Sequence, residues 1–184
     1  AGAALGVSVG GASGFTSDDL DHLLSLGTLS GGFMNGSTVA IDTTGAGGSF
    51  IYGGISNTNA GANQLGLTKL GNGTLVLTGN NTYTGVTTIS GGVLAADLPA
   101  GNLVLNGGVF ESQGSFTRGL GAGDNQVRWA AGANGGFSAA GGPLSVTLAG
   151  APNPLVWDGT PDFVSGAGQL LFGSATADDA VTFT

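Results

Sequence analysis

Gly66–Leu94 reads GLTKLGNGTLVLTGNNTYTGVTTISGGVL. Three short runs in it, Leu67–Leu70, Thr74–Thr78 and Val86–Ser90, alternate apolar with small polar residues. The turn-forming groups Gly71-Asn72-Gly73, Gly79-Asn80-Asn81 and Gly91-Gly92 separate the runs. Strands this short with turns this dense predict successive walls of a coil wound on itself, a β-solenoid, rather than a sandwich.

The same pattern extends outward. A strand is expected around Leu5, Val7 and Val9, with others at 37–42, 49–52, 102–105, 109–111, 126–130, 144–148, 155–158, 169–172 and 180–183. Many of these carry apolar pairs two residues apart, among them Leu75/Leu77, Leu103/Leu105, Val146/Leu148, Leu155/Trp157, Leu170/Phe172 and Val181/Phe183. Side chains alternate across a strand, so each pair points into one interior. TLVLTG (74–79) recurs as NLVLNG (102–107), and GGVL (91–94) as GGVF (107–110). At roughly 20–25 residues per rung and ~4.8 Å of rise, the chain should make about eight rungs and a rod near ~40 Å long.

Residues 16–26 form the one helical segment. Thr16 or Ser17 can cap it, Asp18 and Asp19 suit the positive end of its dipole, Leu20, Leu23 and Leu24 make one apolar face, and Gly27 ends it. A helix this short needs a surface to lie on, the flank or end of the coil. A single domain over residues 1–184 is expected, with the repeat motif at 66–94 and no linker. Neither end shows a polar cap, so both read as cuts through a longer polypeptide or as open ends that stack.

Composition narrows the function. Only 8% of residues are charged, against a usual quarter, while 41% are hydrophobic. The chain is too apolar for disorder, and its 39 glycines follow no collagen period. The net charge is −8 and Lys69, Arg118 and Arg128 are the only cations, which excludes a phosphate track for nucleic acid and disfavours anionic lipid. Cysteine is absent, and no apolar run reaches the ~20 residues of a membrane-spanning helix.

Candidate chemistry is thin. Carbohydrate-cleaving coils need carboxylates converging in a groove, and Asp124, Asp158 and Asp162 are the acids to watch. Asp158 and Asp162 flank Gly159-Thr160-Pro161, which reads as an Asx turn before it reads as a calcium loop. Asp18, Asp19 and Asp21 belong to the helix, Asp178 and Asp179 to a turn, and the lone His22 to the helix surface. Lys69 reads as exposed on a rung, and Arg118 and Arg128 as surface partners of Glu111 or Asp124. Trp129 and Trp157, with Tyr52 and Tyr83, could stack sugar rings if exposed, while Trp157, alternating with Leu155, reads first as core. Thr82, Thr84, Thr87 and Thr88 form a threonine row on one rung only, short of an ice-binding ladder. No catalytic, cofactor-binding or metal site is indicated.

The 66–94 stretch resembles the passenger-associated repeat of bacterial autotransporters. Leu67, Lys69, Gly71, Gly73, Leu75, Leu77, Gly79, Asn81, Tyr83, Gly85, Thr87, Gly91 and Leu94 stand at the places of that repeat. Residues 115–121 and 171–178 resemble blocks found between such repeats. The resemblance implies a right-handed parallel β-helix, secretion across the outer membrane and an extracellular or cell-surface life; with the helical segment read above, the fold expected is all-β, a right-handed parallel β-helix (β-solenoid) with one short flanking α-helix. The resemblance brings no catalytic residues. The function expected is structural, a segment of an extracellular fibre or passenger stalk. Its partners would be further copies or adjoining segments end to end, with a glycan or cell-surface receptor as the adhesin alternative. A polysaccharide-cleaving enzyme is the weakest reading.

Overall fold

A computed structural model describes residues 2–152 and 154–184. Its strands are β1 (Ala4–Ser8), β2 (Ser37–Asp42), β3 (Ser49–Tyr52), β4 (Leu65–Leu70), β5 (Thr74–Leu77), β6 (Thr87–Ile89), β7 (Val93–Ala96), β8 (Leu103–Leu105), β9 (Val109–Leu120), β10 (Gln126–Trp129), β11 (Gly135–Ala149), β12 (Leu170–Phe172) and β13 (Val181–Phe183). One α-helix, α1 (Ser17–Ser25), and two 3-10 turns complete the described elements. The chain is thus mostly β, and every pairing between named strands is parallel.

From β2 to β11 successive strands alternate between two ladders. One ladder runs β1-β2-β4-β6-β8-β10, and a second runs β3-β5-β7-β9-β11-β12. The second halves of β9 and β11 turn a corner and build a third wall with β13. This is a strongly curled, solenoid-like arrangement, as the turn-dense alternation predicts. It has seven levels rather than eight, because turn length is not constant. Leu67 lies opposite Thr87 and Thr87 opposite Leu103, turns of 20 and 16 residues, whereas Leu144 lies opposite Val181, a turn of 37.

Register aligns the interior into columns. The first ladder stacks Leu5, Val39, Leu67, Thr87, Leu103 and Val127, and beside them Val7, Ile41, Lys69, Ile89, Leu105 and Trp129. The second stacks Phe50, Leu75, Leu94, Phe110, Phe137 and Phe172. Where the walls meet, Phe137 packs against Phe116 at 5.0 Å, Phe183 at 5.7 Å, Trp129 at 6.1 Å and Phe110 at 6.4 Å between ring centroids. Such tilted and edge-to-face pairs are favourable beyond the area they bury.

The helix forms where expected. Thr16 caps it through a reciprocal box, its hydroxyl accepting from the Asp19 amide while Asp19 accepts from the Thr16 amide. Leu26, not Gly27, is the C-cap, and Gly27 continues in extended backbone. The end without a visible polar cap is covered by this helix: Ser17 Oγ donates to the Ile51 carbonyl and Tyr52 Oη to Asp21, laying α1 against β3. At the other end β12 and β13 pair only with β11, and Phe172 is 59% exposed.

Three readings of the sequence change. Residues 155–158 form a turn rather than a strand, closed by Val156 carbonyl bonds to the Gly159 and Thr160 amides and by the Val156 amide donating to Thr160 Oγ1. The TLVLTG/NLVLNG echo is not a rung repeat, since β5 and β8 lie on different ladders; the GGVL/GGVF echo is one, with Val93 opposite Val109. β9 and β11 are far longer than their sequence signals, because Gly114 and the Gly141–Gly142 pair let each strand round a corner at positive φ, where the register shifts between Ala139 and Leu144 before pairing resumes.

Phe137→Ala should cost about 3–5 kcal/mol, while Phe172→Ala, at the exposed end of the same column, should cost less than about 1 kcal/mol. Urea unfolding followed by circular dichroism checks both.

Candidate functional site

The 66–94 segment buries Lys69, Thr74, Asn81, Tyr83 and Thr87, while Asn72, Thr78, Asn80, Thr82 and Thr84 face outward. Leu65, Leu67 and Lys69 share one phase of β4 and face the interior. Lys69 is fully buried between Ile41 and Ile89. Its ammonium donates to the carbonyls of Leu70 at 2.8 Å, Gly71 at 2.9 Å and Gly91 at 3.1 Å, so one cation ties the corner of its own level to the corner of the next. Burial pulls its pKa down to about 8, and the carboxylate of Asp42 pulls the other way. The expectation of an exposed lysine was wrong, and the phase of β4 carried the signal.

At the opposite corner Tyr83 and Thr87 are buried, their hydroxyls 2.7 Å apart. Burial pushes the Tyr83 phenol up to about 12. Asn81 spans three levels: its side-chain oxygen accepts from the Ile55 amide at 3.0 Å, and its Nδ2 donates to the carbonyls of Gly79 at 3.3 Å and Asp97 at 3.0 Å. Asn102 repeats the device two walls on, its Nδ2 donating to the Gly121, Gly123 and Gln126 carbonyls. Corners this tight leave no room for a Cβ: one added at Gly85 would lie 2.5 Å from the Leu65 carbonyl oxygen, and Gly71 holds φ +77°.

Elsewhere the predicted pairs do not form. Arg118 is buried in the third wall, donating to the carbonyls of Gly101 and Pro99, its guanidinium 5.4 Å from the Phe116 ring centre. Glu111, offered as its partner, instead lies buried under the turn after β12, accepting from Ser138 Oγ at 2.8 Å, Ser174 Oγ at 2.6 Å and Thr176 Oγ1 at 2.8 Å. Those hydroxyls come from residues up to 65 positions away in sequence, so no local pattern foretold the cradle.

The aromatic assignments reverse. Trp129 is buried, with its indole N–H on the Gly135 carbonyl, and Tyr52 and Tyr83 are buried too; Trp157 is 46% exposed. Thr87 points inward, which breaks the threonine row. Asp158 and Asp162 sit in one turn, both at positive φ, with Asp158 accepting from the Gly166 amide. Asp178 accepts from the Gly141 amide, and His22 is exposed on α1. Among the described residues no three His, Cys, Asp or Glu side chains come together as metal ligands, and no helix is long and apolar enough to cross a membrane.

Comparison with known proteins fits this geometry. Residues 67–96 match the family described as passenger-associated-transport-repeat. That segment is a passenger-associated-transport-repeat. The match begins one residue after and ends two residues beyond the motif read from sequence. The chain is also 38% identical over 106 residues to a protein named Adhesin BmaC autotransporter from Brucella suis biovar 1 (strain 1330), an alignment covering 47% of this chain and 3% of that protein. The chain therefore spans a small part of the length of that relative. No solved structure matches it.

The repeat now has a physical reading. Leu67, Leu75, Leu77 and Leu94 fill the columns, Lys69, Asn81, Tyr83 and Thr87 satisfy buried corners, and Gly71 and Gly85 let levels approach. The polar positions that match the repeat are internal.

Lys69 sets a pH dependence. The unfolded chain holds this amine's proton up to its ordinary value of 10.5, whereas the folded chain releases it near 8. Between those values the unfolded state binds the extra proton, so stability rises with pH by on the order of 1 kcal/mol per unit. The urea midpoint should climb from pH 7.5 to 9.5, below the range in which Tyr83 ionises, and Lys69→Met should flatten the climb.

Proposed function

We propose that the chain is a length of autotransporter-type passenger, a right-handed parallel β-helix that serves as a structural rod outside the bacterial cell. The observation that carries this reading is the inward placement of every distinctive polar residue of the repeat. A motif spent on joining one level to the next suits an element whose task is extension. The likeness to a protein named as an autotransporter adhesin supports a surface or secreted location. Its partners in this reading are adjoining segments of similar coil, stacked by the same parallel pairing that joins each level here to the next.

The adhesin reading gains support from one feature, the exposed Trp157 beside the exposed Val156. It is compatible with a rod, because rods display surfaces.

An epitope tag inserted into the 156–161 turn of the parent polypeptide tests the location. Antibody should stain intact cells, and electron microscopy of the shed material should reveal rods with an axial rise of about 4.8 Å per level. Staining only after lysis, or compact particles without axial order, would overturn the proposal.

A further inference from the structure

The third cation remains unused. Arg128 lies on β10 between the inward-facing Val127 and Trp129, so its side chain points outward from the first ladder. Its Nε is buried yet has no hydrogen-bond partner among the described residues. A buried donor left unpaired is costly in a native protein and commonly marks a place for a ligand or water.

Arg128 lines a depression of about 340 Å³ with Trp129, Thr160, Asp158, Asp162 and Ser165. The turn that walls it is firmly built. Asp158 accepts from the Gly166 amide, Thr160 Oγ1 from the Val156 amide, and Ser165 Oγ from the Gly132 amide at 3.4 Å. Phe163, which also lines the depression, packs edge to face on Trp129 at 5.1 Å and on Trp157 at 5.9 Å, so the exposed Trp157, next in sequence to Asp158, stands beside the depression without lining it.

The chemistry of the lining selects its ligand. Two carboxylates disfavour a phosphate, sulfate or sialic acid, and a guanidinium disfavours a metal ion. Donors and acceptors side by side suit a group that is both at once, a pair of neighbouring hydroxyls. An exposed indole face suits the apolar side of a pyranose ring. We propose that this depression binds a neutral saccharide, with Arg128 donating to sugar oxygens, Asp158 and Asp162 accepting from hydroxyls, and Trp157 stacking on the ring. The proposal goes beyond the rod and is independent of where the rod is displayed, since the purified chain is what binds.

A glycan array carrying neutral galactose-, glucose-, mannose- and fucose-terminated oligosaccharides beside sialylated and sulfated ones provides the probe for the 184-residue chain. Neutral glycans should bind, and Arg128→Met and Trp157→Ala should each weaken binding at least about tenfold, with circular dichroism and melting unchanged. Phe172→Ala, at an exposed residue outside the lining, should leave binding intact. Should Arg128→Met fail to fold, the surface variants Trp157→Ala and Asp162→Asn carry the test. Binding to no glycan, binding confined to the acidic glycans, or neutral binding indifferent to Trp157 and Asp162 would overturn the proposal.

Discussion

Parallel pairing of each level with the next is the constraint on which everything else here depends. Because register is kept from strand to strand, a side chain chosen at one level must fit the side chains directly above and below it. Leu67, for example, lies between Val39 and Thr87, and Leu75 between Phe50 and Leu94. Apolar residues meet this demand by contact alone. Polar residues meet it only where backbone carbonyls or amides converge, which is at the corners.

The repeat uses its polar residues in that second way. The Lys69 ammonium, sealed between isoleucines, is tolerable because three carbonyls from two levels surround it. Asn81 and Asn102 act as clamps, since a primary amide can satisfy donors and acceptors on adjacent levels together. These bonds are specific to one register. A slip of two residues would leave a buried charge without oxygens, so the corners make alternative pairings costly.

The outer surface follows different rules. With few charges available, Arg118 and Glu111 are both withdrawn into hydrogen-bonded interiors, one on carbonyls and one on hydroxyls, and they do not meet. Their placement leaves the turn after β11, beside Arg128 of β10, as the place where a cation, carboxylates and an exposed indole stand near one another. Structural economy inside and chemical variety at one outer turn are compatible because turns between levels can change length without disturbing the columns.

The alternation and turn spacing of residues 66–94 determined the class of fold, and the ends of β2 and β3 were legible to the residue. The helix and its capping box were also local matters, decided by Thr16, Asp19 and the leucines that follow. What sequence could not assign was which wall a strand joins, as the β5 and β8 echo demonstrates, because identical alternation serves either ladder. Nor could it place Trp129, Trp157 or Glu111, whose burial or exposure depends on neighbours tens of residues away. Local periodicity sets how a strand presents its faces; only the closing of one level on another decides which face becomes the inside.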